Sequence, residues 1–179
     1  SLIILNSPGN PTGGAVPEAE IRKLVAGLAK HPNVAILWDE IYSQMLYDGR
    51  EHISLLKFPE LRDRLIVLDG WSKTYAMTGW RIGFAANKAL APAFTRWITN
   101  TESCASQISQ WAALQALTGP QHDAEVMKQR FHTRRDLIVR RCCMNSFSTT
   151  VLARPNTFCA KLGSTHAHPP PCPQRPLVP

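Results

Sequence analysis

The sequence predicts an α/β fold: a mostly parallel sheet flanked by helices. Two observations carry this. Four short apolar runs, at 2–5 (LIIL), 34–38 (VAILW), 65–68 (LIVL) and 82–86 (IGFAA), read as strands. Continuous apolar runs suit strands buried on both faces, as in a parallel sheet. Helical patterns separate or follow these runs, and strand, helix, strand is the βαβ unit.

Each element has its own signal. Ser1 leads straight into Leu2-Ile3-Ile4-Leu5, so the chain opens in mid-strand and is expected to be a piece of a longer one. A helix is expected over 17–30, with Pro17 in its first turn. Ile21, Leu24, Val25 and Leu28 fall at i, i+3, i+4 and i+7, a single apolar stripe. Residues 89–118 read as helical with a break near 99–103, and Gly119-Pro120 stops them. A further amphipathic helix is expected from about 122 to 139. No internal repeat is visible.

Beyond residue 139 the character changes. Seven of the 14 prolines and four of the five cysteines lie in 140–179, and no acid does. We divide the chain into an ordered unit, 1–139, and an irregular Pro-rich C-terminal tail, 140–179, expected to be disordered or frame-shifted. Reading the coding DNA in the other two frames tests the latter. If neither frame gives aromatic-rich α/β text with a late arginine, the idea fails.

Composition narrows the function classes. The net charge of +7 invites a nucleic-acid reading, but residues 1–139 hold 15 Lys/Arg against all 13 Asp/Glu. Most of the excess therefore sits in the tail, which has no basic helix and no interleaved aromatics, so no nucleic-acid partner is expected. No apolar run approaches the roughly 20 residues needed to span a bilayer, so no membrane partner is expected either. Cys104 alone in the ordered part suits a reducing, cytoplasmic compartment. No metal site is expected: His166, His168 and Cys172 are close in sequence but lack zinc-site spacing.

In open α/β sheets ligands bind at the carboxyl ends of the strands. Three strands here end in polar text: Asn6-Ser7-Pro8-Gly9-Asn10-Pro11-Thr12-Gly13-Gly14, Asp39-Glu40-Ile41-Tyr42 and Asp69-Gly70-Trp71-Ser72-Lys73-Thr74. Each alone has an ordinary structural reading. N-P-T-G is a turn, an Asp after a strand caps a turn, a lone Lys is solvated, and Arg81 suits a surface ion pair. Together they place titratable groups at one end of one sheet. Trp38, Trp71, Trp80 and Tyr75 read as core aromatics, and Met45 and Met77 as gap-fillers. His31, His52, His122 and His132 have no acid or Cys at catalytic spacing and receive no role.

The blocks S-P-G-N-P-T-G, D-E-I-Y and G-W-S-K-T-Y-A-M-T-G-W-R-I-G, in this order and spacing, resemble the pyridoxal phosphate (PLP) dependent aminotransferases of class I/II. These are the aspartate aminotransferase-like group of fold type I. The last block is the most specific, because it matches the family's lysine attachment signature throughout. The resemblance covers about 1–139 and implies part of the family's large domain. It implies that Lys73 is the Schiff-base lysine and proton carrier. It implies that Asp39 pairs with the pyridine nitrogen and keeps the ring an electron sink. Asn10 and Tyr42 would hydrogen-bond the ring's phenolic oxygen, Arg81 would grip the phosphate with its planar fork, and Ser72 would add a hydroxyl there. A cis Asn10-Pro11 bond is implied too, against a base rate of about 5–6% for X–Pro bonds.

The resemblance also implies amino acid and 2-oxo acid substrates, and a homodimer for an intact parent. The family's glycine-containing phosphate loop, its ring-stacking aromatic and the small domain with its carboxylate-binding arginine have no counterpart here. Three alternatives stay open: another fold-type-I enzyme (lyase or synthase), a non-catalytic PLP-binding regulatory module, and an inactive fragment.

Overall fold

A computed structural model describes residues 1–144, the last three by backbone alone. The expectations for the tail, including its irregularity and the His166, His168 and Cys172 trio, lie outside the described residues. The element order is β1 (Leu2–Asn6), α1 (Glu18–Ala29), β2 (Ala35–Asp39), β3 (Leu65–Gly70), β4 (Gly83–Ala86), α2 (Ala91–Thr101), α3 (Gln107–Thr118) and α4 (His122–Met144). Short 3-10 turns at Leu55–Lys57 and Pro59–Arg64 fill the connection from β2 to β3.

The four strands form one sheet in sequence order. β1 pairs parallel to β2 with Leu5 opposite Trp38 and Asn6 opposite Asp39, and β2 pairs parallel to β3. β4 pairs antiparallel to β3. The reason is the connection. Parallel strands need a crossover of a dozen or more residues, usually a helix. The link from Gly70 to Gly83 is at the short limit for a crossover and carries only a 3-10 turn at Thr78–Trp80, so the chain turns back beside β3. The much longer link from β2 to β3 instead packs its 3-10 turns on the core face.

The core lies on one face of the sheet. Ile21, Val25 and Leu28 of α1 pack with Ile36, Trp38, Leu65 and Val67, and with Leu55 and Leu61 from the 3-10 turns. The apolar stripe read from the sequence is this face, with Leu24 packed at its margin. The α1 carboxyl end is closed from a distance. Arg64 donates Nη2 to the Leu28 carbonyl, and Nη1 to those of His31 and Val34. These bonds tie the last turn of α1 and the turn after it to the segment that leads into β3.

Burial on both faces of every strand is not observed. β2 alternates buried with half-buried residues. β1 is an edge strand with Leu2 and Ile4 exposed, and all four residues of β4 are exposed. An apolar run gives the strand, but its burial depends on what packs above it. Trp38 is core, as expected, and Met77 is buried. Trp80 is not core: it is 44% exposed. The helical break falls after Thr101, and α4 runs on to Met144, past the expected end near 139.

Candidate active site

Because β1, β2 and β3 run parallel, their carboxyl ends meet at one edge of the sheet. The loop after β1 is fixed to the end of β2. Asn6 Nδ2 and the Ser7 amide both donate to the Asp39 carbonyl, at 3.2 Å each. Asn6 Oδ1 in turn accepts from the Asn10 amide at 2.8 Å. The Asn10–Pro11 bond is cis, and so is Ser7–Pro8.

This loop presents Asn10 to Tyr42. Asn10 Nδ2 donates to the Tyr42 hydroxyl at 3.2 Å. Lys73 comes from the turn after β3, and its Nζ stands 5.6 Å from the centroid of the Tyr42 ring. Tyr42, Ser72 and Lys73 line a cavity of about 290 Å3 with Met45, Tyr47 and Phe131. Lys73 also lines a neighbouring cavity of about 400 Å3, with Asp69, Trp71, Tyr75 and Phe131. Lys73 thus borders both spaces.

Asp39 ends β2, half-buried. Its Oδ1 accepts from the Ile41 amide at 3.0 Å, the ordinary turn-capping role. That leaves Oδ2 as the oxygen available to a ligand. Arg81 is not brought to the cavity. It is exposed, at φ 50°, with Nη1 donating to the Thr78 carbonyl at 2.8 Å. The structure therefore gathers Asn10, Tyr42, Ser72 and Lys73, sets Asp39 at the adjoining strand end, and turns Arg81 outward.

Several acidic and basic groups have partners that the sequence reading missed. Glu40 is buried; it accepts from Trp38 Nε1 at 2.6 Å and lies 3.0 Å from His52 Nε2. The His52 approach is close but not aligned as a hydrogen bond. Burial acts to raise the Glu40 pKa. Contacts with His52, Ser54 and Trp38 outweigh it and hold the carboxyl below its ordinary value. Asp69 goes the other way. Burial raises it, the Gly70 amide opposes, and the charges of Glu40 and Asp39 add to the rise.

His132 lies 3.5 Å from Asp48 and 3.6 Å from Asp136. His52 and His132 thus do have acidic neighbours, contrary to expectation. His132 and Asp136 sit at i and i+4 on α4, a spacing that gave the signal in advance. The contacts of His52 with Glu40 and of His132 with Asp48 join distant segments and left none.

The chemistry of this set fits the cofactor that the resemblance implies. It offers an amine beside an aromatic face, a phenol and a carboxamide already joined by a hydrogen bond, a hydroxyl, and a carboxylate with one oxygen to spare. The phosphate partner is the weaker part of the fit, since Arg81 points to Thr78.

Comparison with known proteins agrees with this reading. The family described as "Aminotransferase class I and II" matches residues 1–164, which runs past residue 139, where the character of the sequence changes. Aspartate aminotransferase of Rhizobium meliloti is 41% identical over 139 residues, 76% of this chain and 34% of that protein. A probable N-acetyl-LL-diaminopimelate aminotransferase of Bacillus subtilis (strain 168) is 44% identical over 140 residues, 78% of this chain and 35% of that protein. The solved Rhizobium meliloti aspartate aminotransferase matches with a TM-score of 0.74 at 41% identity, covering 77% of this chain and 35% of that one. The aromatic aminotransferase of Pyrococcus horikoshii OT3 matches with a TM-score of 0.76 at 29% identity, covering 81% and 39%. This chain spans about a third of the length of the curated relatives it matches. With three motif blocks meeting at one sheet edge and these likenesses in sequence and fold, the chain belongs to the aminotransferase class I and II family.

Proposed function

We propose that this chain carries the lysine side of the cofactor site of a PLP-dependent aminotransferase, which moves an amino group between an amino acid and a 2-oxo acid. The observation that carries the reading is the position of Lys73. Its amine stands over Tyr42, whose hydroxyl is already held by Asn10. When bound, PLP supplies an aldehyde that condenses with amines and a ring that accepts electrons from a substrate carbon.

The protein's part follows from its own atoms. Lys73 Nζ would hold the aldehyde and, once released, would carry a proton. The Tyr42 hydroxyl and Asn10 Nδ2 would orient a ring oxygen. Asp39 Oδ2 would keep a ring nitrogen protonated through its negative charge. Ser72 would hold the phosphate, and Arg81 would join it on giving up its bond to the Thr78 carbonyl. Amino acid and 2-oxo acid substrates, a homodimer for the longer parent and a cytoplasmic setting belong to the same proposal. No described helix is long and apolar enough to cross a membrane.

The test is to mix the purified chain with PLP, reduce with borohydride and locate the pyridoxyl group by peptide mass. An adduct confined to Lys73, and abolished in Lys73→Ala, supports the reading. Labelling scattered over the exposed lysines, or none, sinks it for this chain. Amino-group transfer to 2-oxoglutarate then separates an aminotransferase from a lyase or synthase on the same site.

A further inference from the structure

Tyr42 sits on a segment without regular secondary structure, residues 40–50, so something must hold it against Lys73. Toward its far end lie Tyr47 and Asp48, and both residues are gripped by α4. Arg135 is 3% exposed. It meets Asp48 with a two-pronged pair, Nη1 to Oδ2 at 2.8 Å and Nη2 to Oδ1 at 2.9 Å. Its Nε and Nη2 also donate to Asp136 Oδ1, at 3.0 and 2.8 Å. The buried Tyr47 ring stacks on His132 at 5.2 Å and lies under the Arg135 guanidinium at 5.1 Å. One helical turn before Arg135, Phe131 lines the cavity of Tyr42, Ser72 and Lys73 together with Met45.

We propose that the Asp48–Arg135 pair, with Tyr47 seated beneath it, is a clasp that positions Tyr42 against Lys73 by fastening the 40–50 segment to α4. The inference rests on the proposed cofactor site, since it assigns that site its positioning residues. A guanidinium forked onto a carboxylate fixes orientation as well as distance. Removing Asp48 leaves the buried Arg135 guanidinium with Asp136 on its own helix, so what is lost is the tie between the loop and α4. Asp48 holds φ 61°, a left-handed conformation that Asp adopts more readily than most residues, and this turns its carboxylate back to the helix. The same contact places Phe131 as a wall of the cavity, so helix and loop are fixed together.

Two backbone amides report on the clasp without any cofactor. The Met45 amide donates to the Tyr42 carbonyl at 2.9 Å, and the Arg50 amide to the Tyr47 carbonyl at 3.2 Å. Hydrogen exchange at these amides is compared in the 179-residue chain for wild type, Asp48→Asn, Arg135→Met and Arg135→Lys. Lys73 labelling by PLP and borohydride is read on the same samples. Expected in Asp48→Asn and Arg135→Met is exchange at Met45 and Arg50 faster by about tenfold or more, with β2 and β3 amides unchanged. Lys73 labelling falls severalfold, and Arg135→Lys recovers part of both effects. Wild-type exchange rates at Met45 and Arg50 in both variants overturn the clasp. So does equal acceleration in β2 and β3, which marks a purely structural role, and so does a loosened loop with undiminished Lys73 labelling. If Arg135→Met fails to fold, Arg135→Lys and Asp48→Asn decide by the same readings. If the wild type itself is not labelled at Lys73, the cofactor reading fails, while the exchange data still judge the clasp.

Discussion

Glu40 and Asp69 leave the ends of adjacent strands, yet their pKa values move in opposite directions, and each direction has a stability consequence. The Glu40 carboxyl is held below its ordinary 4.5 because His52, Ser54 and Trp38 outweigh burial. A depressed folded pKa contributes stability that is present above the unfolded value and lost as pH falls through the folded one. Asp69 is raised above 3.8, mainly by burial and then by its acidic neighbours. For a raised carboxyl, the folded state gives up its proton less readily, so stability declines as pH rises from 3.8 through the folded pKa. Denaturant unfolding across the acid range checks both. Glu40→Gln should destabilise near neutral pH, with the difference from wild type shrinking below 4.5. Asp69→Asn, which keeps the oxygen that accepts from the Gly70 amide, should stabilise near neutral pH and lose that advantage as pH falls toward 3.8. A difference from wild type that does not change with pH would refute the assignment. At this scale the sequence pointed to Lys73, Tyr42 and Asn10 as site residues, because each sits in a motif block that resembles the family's. It could not show Asp48 with Arg135, which are 87 residues apart.

The turn from β3 into β4 depends on two glycines facing each other across the antiparallel pair. A Cβ at Gly83 would lie 3.0 Å from the Asp69 carbonyl oxygen, and one at Gly70 would lie 3.0 Å from both Gly83 Cα and the Ile82 oxygen. These contacts are with backbone, which yields little. Gly83→Ala should therefore cost about 1–3 kcal/mol, as overpacked sites do. Gly79→Ala, where nothing lies within 4 Å, is the control and should be close to neutral. Urea midpoints of the two variants decide. Equal midpoints would mean that the strands separate without penalty. Because the Lys73 turn connects β3 to β4, Gly83→Ala should also reduce labelling at Lys73. The elements themselves were largely legible. The α1 stripe, the four strands and the break between α2 and α3 all follow from periodicity and breakers. The direction of β4 was not, because an apolar run carries no sign of which way it pairs.

The whole described chain leaves much apolar surface open. Trp97 is 67% exposed, Trp111 64%, Ile108 73% and Ile4 67%. β1 and β4 are both sheet edges, with backbone groups unpaired on one side. Open edges and large apolar patches favour association. The chain should bind a hydrophobic dye and associate with rising concentration at about micromolar levels and above, as exposed surfaces of this kind do. Sedimentation over that range checks this, and a monodisperse monomer with no dye binding would contradict it. Such association would also lower the yield of Lys73 labelling at high concentration, so labelling is best followed in dilute solution.

What the sequence by itself determined was local or motif-borne. Apolar runs gave strands, the 3.6-residue stripe gave α1, and three polar blocks at strand ends, through the family they resemble, gave the proposed site's lysine, phenol and carboxamide. These survive in one dimension because their physics acts between near neighbours or through fixed spacing. Only the tertiary structure decided which strand face is covered, that β4 returns antiparallel, and that Arg81 turns to Thr78. It alone joined Glu40 to His52 and Asp48 to Arg135. Those outcomes depend on distant segments competing for the same space and the same hydrogen bonds, and no single stretch of sequence records that competition.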